Sequence, residues 1–236
     1  MRIALLLLSL ALLACSAPGV DVLGTLPADG FDFPVGKPDG EGYYRARGYR
    51  SNGHLGEDWN GRGGGDTDLG DPVFVVAHGV VVFAQNFKHG WGNAVIVRHA
   101  YDEGGQTKFA DSLYGHLDQI HVRENQQLRR GQQLGTIGTG GGLYSAHLHL
   151  EIRKDLRVGM ARHRFPKDEK VYFSPADFIN AHRQIKAPIA VVAVPANTFV
   201  PFELTTPADA PAEATQPKAP AAPKKPVPAQ GERFKK

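Results

Sequence analysis

The feature that most limits the fold of this chain is a series of short apolar or alternating segments separated by glycine-containing turns. The segments are residues 72–77, 80–84, 93–98, 112–117 and 146–152. Segments of this length that are rich in β-branched and aromatic residues are typical of strands. Because 28 of the 236 residues are glycine, turns are favoured over long helices. The sequence therefore predicts a mainly β protein.

The remaining segments predict a simple domain organisation. Residues 15–50, rich in Gly, Pro and Tyr, predict a leader that packs on the domain with little regular structure, and the domain is expected to span 51–205. Within it, residues 175–184 predict a helix with Ser174 as its N-cap, and residues 189–194 predict a late strand. Pro and Ala supply 15 of the last 30 residues, so 206–236 predicts a disordered tail.

Charge and cysteine content exclude several classes of protein. The net charge is +3, but residues 207–236 hold six basic and three acidic residues, which leaves 21 of each in the rest of the chain. This even balance argues against a nucleic-acid partner. A single cysteine excludes an intramolecular disulfide and a cysteine-rich zinc finger.

Residues 1–14 predict a targeting segment. Arg2 supplies a positive charge, and the apolar stretch 3–13 is too short to span a bilayer. Cys15 resembles the lipidated cysteine of a bacterial lipobox, and Ser16 resembles the outer-membrane sorting pattern. The resemblance implies an exported protein anchored through acylated Cys15, in the outer membrane and facing the periplasm. A secretory signal cleaved near Ala17, or an apolar cytoplasmic N-terminus, is the alternative.

Alternation along two predicted strands indicates which side chains share a face. In residues 146–152, His147 and His149 point to one side, and the core side takes Leu148, Leu150 and Ile152. In residues 112–117, one face takes Ser112, Tyr114 and His116, and the other takes Leu113 and Leu117. His116 can approach the face of His147 and His149 if the two strands are neighbours.

These histidines, together with His54 and Asp58, predict a metal site. Imidazole nitrogen and carboxylate oxygen are ligands of catalytic zinc, which takes three protein ligands and leaves a fourth position for water. A candidate ligand set is His54, Asp58 and one histidine of the pair His147 and His149. A remaining histidine is suited to shuttle protons near neutral pH.

The order of the motifs resembles the lysostaphin-type (LytM-like) zinc metallopeptidases, which cut peptide bonds in peptidoglycan. The likeness covers roughly residues 50–155. Its motifs are His54-xxx-Asp58 with Gly56, Gly70-x-Pro72-Val73 with Ala77 and Gly79, Gly90-Trp91-Gly92-Asn93, Tyr114-Gly115-His116-Leu117, the glycine-rich segment 131–140, and His147-x-His149. Each pair motif alone is weak evidence, whereas the whole set in this order is a strong signal.

The resemblance implies a fold, a ligand set and catalytic residues. The fold would be an antiparallel β-sheet with a substrate groove and few short helices. His54, Asp58 and His149 would hold one Zn²⁺ per chain, and His116 and His147 would flank the open position. One of these two histidines would act as general base and the other would stabilise the oxyanion, in an assignment that the resemblance leaves open.

The implied function is hydrolysis of peptide cross-links in peptidoglycan, with its stem peptides as partners, by a zinc endopeptidase that remodels the cell wall. The alternative is a non-catalytic relative that activates cell-wall amidases. The sequence leaves open which bond is cut, whether the leader covers the groove, and the oligomeric state.

Other polar and aromatic residues are expected to have structural roles. Glu57 and Glu151 would orient histidines or face solvent, and Trp59 and Trp91 would lie in the core or line the groove. A surface or turn position is expected for His78, His89, His99, His121, His163 and His182.

Overall fold

The computed structural model of the protein describes residues 21–187 and 190–203. The strands are β1 (Val22–Thr25), β2 (Tyr43–Arg47), β3 (Glu57–Gly61), β4 (Pro72–Phe74), β5 (Gly79–Asn86), β6 (Asn93–Glu103), β7 (Gln106–Leu117), β8 (Gln127–Leu128), β9 (Gln133–Thr136), β10 (Leu148–Arg153), β11 (Tyr172–Phe173) and β12 (Val192–Pro195). The helical elements are α1 (Pro175–Ala181) and a 3-10 turn at Arg162–Arg164.

The strands form one large antiparallel sheet and two small ones. The large sheet has the order β2-β3-β10-β7-β6-β5-β8, and β11 pairs with the end of β10. The small sheets pair β1 with β12 and β4 with β9, also antiparallel. The mainly β, antiparallel fold predicted from the glycine-separated segments is therefore confirmed.

The main hydrophobic core lies against one face of the large sheet, where alternate residues of the central strands point inward. From β10 it takes Leu148, Leu150 and Ile152, as alternation predicts, and Val73 and Leu134 of the small β4–β9 sheet belong to the same cluster. A second cluster contains the residues of opposite alternation, together with loop residues. Its members are Phe83, Trp91, Ala94, Ile96, Leu113 and Met160.

The described part of the predicted leader, residues 21–50, contributes to this architecture in two ways. Strand β2 pairs with β3 at the edge of the large sheet. Ala28, Phe31 and Val35 are completely buried in the main core. The segment also holds strand β1, so it contains more regular structure than its Gly- and Pro-rich sequence predicts.

The C-terminal elements begin near the predicted positions but differ in length. Helix α1 begins at Pro175 and ends at Ala181 rather than at residue 184, because the N–H of His182 bonds to the carbonyl of Ile179 and closes the last turn tightly. The late strand is Val192–Pro195.

The targeting segment 1–14, Cys15, residue 189 of the predicted late strand and the tail 206–236 lie outside the described residues. Among the residues that are described, no helix combines the length and the apolar character needed to cross a membrane.

Candidate functional site

Three side chains from two adjacent strands and the turn before them converge at one buried point. Strands β3 and β10 pair so that Asp58 lies opposite His149, and His54 lies four residues before Asp58. Asp58 Oδ1 is 2.9 Å from His149 Nδ1 and 3.1 Å from His54 Nε2, and the two histidine nitrogens are 3.1 Å apart. The structure thus brings together the three residues for which the resemblance implies a ligand role.

The outer nitrogens of the two histidines are both held by acceptors. The Nδ1–H of His54 donates to the carbonyl of Gly48 at 3.1 Å, and the Nε2–H of His149 donates to Glu151 Oε1 at 3.1 Å. When the two rings are neutral, these bonds leave lone pairs on His54 Nε2 and His149 Nδ1, so three electron-pair donors face one another. Such partners orient histidine ligands in metal sites. The arrangement requires a cation or a proton at its centre.

The spacing of these three atoms fits a small tetrahedral metal ion. Ligand atoms at about 2.0–2.1 Å from zinc are about 3.3 Å apart in a regular tetrahedron. The observed separations of 2.9–3.1 Å are slightly shorter. A modest outward movement of the side chains would accommodate the ion, so His54, Asp58 and His149 are able to hold a metal.

Gly56, between His54 and Asp58, is required by close packing. A β-carbon at this position would lie 2.4 Å from the carbonyl oxygen of Leu150 and 2.8 Å from His149 Nε2. Any side chain would therefore push β3 away from β10 and separate Asp58 from His149.

The electrostatics favour an anionic Asp58. Burial disfavours its charge, but hydrogen bonds from His149 and His54, which form when these rings are protonated, outweigh burial and hold the pKa of Asp58 well below its usual range. Glu151 behaves in the same way. Its burial raises the pKa, whereas the charge of Arg153 and the hydrogen bond with His149 lower it to about 2.

His147 lies beside the three converging residues without joining them. Its Nε2 is 3.8 Å from Asp58 Oδ1, and its Nδ1–H donates to the carbonyl of Ser145 at 2.8 Å. This bond leaves the lone pair on Nε2. Burial, and then the neighbouring His116, lower the pKa of His147 to about 4, so the ring is neutral near pH 7.

The structure corrects the predicted face of His116. Ser112 and Tyr114 do share the core face, where Ser112 Oγ lies 3.0 Å from the hydroxyl of Tyr114. His116, however, lies beside His147 and His149, with ring centroids 4.8 and 5.6 Å apart, respectively. Leu117 turns instead into the core with Tyr114. The backbone of His116 has a φ of 63°, which takes this residue out of the alternation of the strand.

Trp91 holds His116 in this position. The carbonyl oxygen of Trp91 accepts the backbone N–H of His116 at 2.9 Å and lies 3.3 Å from His116 Nδ1. The proton of the ring is therefore on Nδ1. The indole ring stacks near His116 and meets His149 edge-on at 5.5 Å. Trp91 is 2% exposed and belongs to the second hydrophobic cluster, whereas Trp59 belongs to the main core.

Two arginines near Glu151 were not identified from the sequence. Arg153 donates from Nε to Glu151 Oε2 at 2.6 Å, and Arg162 Nη1 lies 3.6 Å from Glu151 Oε1. Alternation beyond His149 places Glu151 and Arg153 on the same face, and this signal was available. Arg162 lies in no periodic segment.

His99 is not at the surface, contrary to the prediction. It is completely buried, with Nδ1 at 2.8 Å from the carbonyl of His78 and Nε2 at 2.7 Å from Ser112 Oγ. His99 lies on β6. Because Ser112 also hydrogen-bonds to the hydroxyl of Tyr114, the three side chains form one buried hydrogen-bond network.

Comparison with known proteins places this site in a family. Residues 54–161 match the model of peptidase family M23. Lipoprotein NlpD of Yersinia enterocolitica is 39% identical over 84 residues, which make up 36% of this chain and 78% of that protein. The chain belongs to peptidase family M23. The resemblance drawn from the order of its motifs is confirmed.

Other M23 relatives with similar identity carry two kinds of name. The murein hydrolase activator NlpD of Escherichia coli is 38% identical over 84 residues, which are 36% of this chain and 20% of that protein. The peptidoglycan DD-endopeptidase ShyA of Vibrio cholerae is 36% identical over 84 residues, which are 36% of this chain and 18% of that protein. The chain thus matches about a fifth of the length of these two relatives.

Proposed function

We propose that the protein is a zinc-dependent endopeptidase that hydrolyses peptide cross-links in peptidoglycan and so remodels the cell wall. The observation that carries this proposal is the convergence of His54 Nε2, Asp58 Oδ1 and His149 Nδ1 as three electron-pair donors within 3.1 Å of one another. Two nitrogens and one carboxylate oxygen are a catalytic zinc set with a fourth position open. The name of ShyA, a peptidoglycan DD-endopeptidase, supports the substrate class.

Bound zinc would supply Lewis acidity that activates water and polarises the scissile carbonyl. The chain's own residues would orient the reactants and move the protons. His54 and His149 are oriented by Gly48 and Glu151, and the carboxylate of Asp58 would offset one of the two positive charges of the ion. A bound substrate would lie on the side of His116 and His147.

His147 and His116 are the two candidate proton carriers. Both rings carry their proton on Nδ1, bonded to the carbonyls of Ser145 and Trp91 respectively, so that Nε2 is the basic nitrogen in each. Such a nitrogen accepts a proton from water as general base and afterwards returns it to the leaving amine. The other ring would stabilise the developing oxyanion only as an imidazolium, with a second proton on Nε2.

The proposed location is the cell envelope. The lipobox-like sequence at Cys15 predicts a lipid anchor, and the relative from Yersinia enterocolitica is named a lipoprotein. We propose that acylated Cys15 holds the protein in the outer membrane, facing the periplasm, where peptidoglycan stem peptides are within reach.

A second candidate function is activation of other cell-wall hydrolases by contact. The observation in its favour is that the similar NlpD protein of Escherichia coli is named a murein hydrolase activator. The complete set of three converging donors favours the enzyme instead, because an activator has no need to hold a metal ion.

Digestion of purified peptidoglycan separates the two functions. The full chain in detergent would be incubated with peptidoglycan, with and without a chelator, and the products identified by mass spectrometry. The endopeptidase releases peptides that carry a new amine, and this release is lost on chelation and restored by zinc. An intact wall in the presence of zinc-loaded protein contradicts the proposal, and digestion that appears only when an amidase is added supports the activator.

A further inference from the structure

Arg162 connects the two sides of the site. Its side chain is 14% exposed and starts from the 3-10 turn Arg162–Arg164, one residue beyond the segment that matches the family model. Arg162 Nη1 lies 3.6 Å from Glu151 Oε1, and its Cζ lies 5.0 Å from the centroid of the Trp91 ring. The same guanidinium therefore contacts one residue that orients His149 and another that orients His116.

Toward His149, the contact brings the positive charge of Arg162 close to Glu151 Oε1, the same oxygen that binds His149. Glu151 Oε1 accepts the Nε2–H of His149 at 3.1 Å, while Arg153 binds the other carboxylate oxygen, Oε2, at 2.6 Å. Because Glu151 is completely buried, the charge at Oε1 is compensated by neighbouring side chains rather than by bulk water. Arg162 thus adds a second positive charge, at ion-pair distance, beside the carboxylate oxygen that orients His149.

On the side of His116, the contact depends on shape as well as charge. A planar guanidinium over an indole combines cation–π attraction with stacking, and a lysine ammonium reproduces only the first. Trp91 in turn holds His116 through its carbonyl oxygen. A shift of the Trp91 indole would therefore also shift the carbonyl oxygen of the same residue, and with it His116.

We propose that Arg162 is a positioning residue that holds His149 through Glu151 and His116 through Trp91, and so sets metal affinity and proton transfer together. The inference rests on the proposed function only for its second half, since the first half concerns binding of the metal. The two halves depend on different properties of the side chain, and two substitutions separate them.

The variants are Arg162→Met, which removes charge and plane, and Arg162→Lys, which keeps the charge alone. The control is Arg164→Met, which removes a charge from the same turn at an exposed position. For each full chain in detergent, the zinc dissociation constant is measured by competition with a chelator, and kcat and KM are measured on a soluble cross-linked muropeptide. Circular dichroism confirms that each variant is folded.

Arg162→Met is expected to weaken zinc binding about tenfold, at the low end of the effect of an outer partner. Arg162→Lys is expected to retain most of the zinc affinity but to leave kcat about tenfold low with KM unchanged, because the contact of the planar guanidinium with the Trp91 ring is lost. Arg164→Met should match the wild-type protein in all three quantities.

Wild-type zinc affinity in folded Arg162→Met, or equal weakening in Arg164→Met, would overturn the inference. If Arg162→Met does not fold, Arg162→Lys still decides the second half, since wild-type kcat in that variant contradicts it. If the wild-type protein cleaves no muropeptide, the proposed function fails, while the zinc affinities still test the contact through Glu151.

Discussion

Nε2 of His54 lies 3.1 Å from Nδ1 of His149, although the two residues are 95 positions apart in the sequence. In its neutral form, each ring donates its only N–H to a partner on its far side, Gly48 or Glu151. Two lone pairs and the carboxylate of Asp58 consequently face one another. Without a positive charge between them they repel, so the folded state should bind a cation that the unfolded chain cannot hold in this geometry.

Zinc is therefore expected to stabilise the wild-type protein and not the His149→Ala variant. Zinc at about 1,000 times its dissociation constant adds about 4 kcal/mol to the free energy of unfolding, which urea denaturation with and without zinc measures directly. His116→Ala should keep this stabilisation but lose about 10²- to 10⁴-fold in peptidase rate, the usual contribution of a general acid–base group. Full zinc stoichiometry in His149→Ala would refute the ligand assignment.

Replacing Glu151 by Gln should weaken metal binding about 10- to 100-fold. The neutral amide is a poorer acceptor for the Nε2–H of His149, and it leaves the charge of Arg153 without its carboxylate partner. Chelator competition measures the effect. Glu57→Gln is a matched control, because Glu57 is equally buried but bonds to Arg45 on the outer strand β2. Equal losses of metal affinity in the two variants would mean that Glu151 affects metal binding only by stabilising the fold, as any buried carboxylate could.

Breaking the ion pair between Arg98 and Asp111 should destabilise the protein by about 3–5 kcal/mol, because it leaves a buried charge uncompensated. The pair is bidentate, with both bonds 2.7 Å long and both side chains 1% exposed. Arg98→Met and Asp111→Asn, followed by urea denaturation, give the single costs. The double variant should lose clearly less than their sum, and additive losses would show that the pair is not coupled.

Stability should fall between about pH 6.5 and pH 4 in a way that depends on His99. Burial lowers the pKa of His99 to about 4 in the folded protein, against 6.5 for an ordinary histidine. Below pH 6.5 the unfolded chain therefore binds a proton that the folded chain rejects, so this stabilisation is present above pH 6.5 and is lost as the pH falls toward 4.

His99→Gln removes this titration. Between pH 6.5 and pH 4, the variant should therefore lose up to about 3 kcal/mol less of its free energy of unfolding than the wild-type protein does. Urea denaturation of the wild-type and variant proteins at half-unit pH steps measures the difference, and titrations common to both cancel. Parallel stability curves would contradict the prediction, even if the variant is less stable at every pH.

Alternation accounts for the parts of the fold and of the site that were predictable from the sequence. Leu148, Leu150 and Ile152 lie in the core while His149 faces Asp58, because a regular strand repeats every two residues. The glycine-bounded segments correspond to strands for the same reason, since each must bury one face within a short length.

The sequence did not reveal features that depend on a single backbone angle or on contacts between distant loops. The side of the sheet to which His116 points follows from its positive φ, and no residue of the Tyr-Gly-His-Leu motif predicts that angle. The approach of Arg162 to Trp91 joins two irregular segments. The burial of His99 depends on segment 21–50, whose Phe31 packs edge-on against the imidazole.

Phe31 also has a practical consequence for anyone who wishes to produce this protein in pieces. With Ala28 and Val35 it fills part of the main core, and β2 covers an edge of the sheet. A recombinant fragment that starts at residue 51 would expose these apolar partners and one bare strand edge, a combination that favours aggregation. Loss of zinc binding in such a fragment would report on misfolding and would say nothing about whether segment 21–50 covers the site.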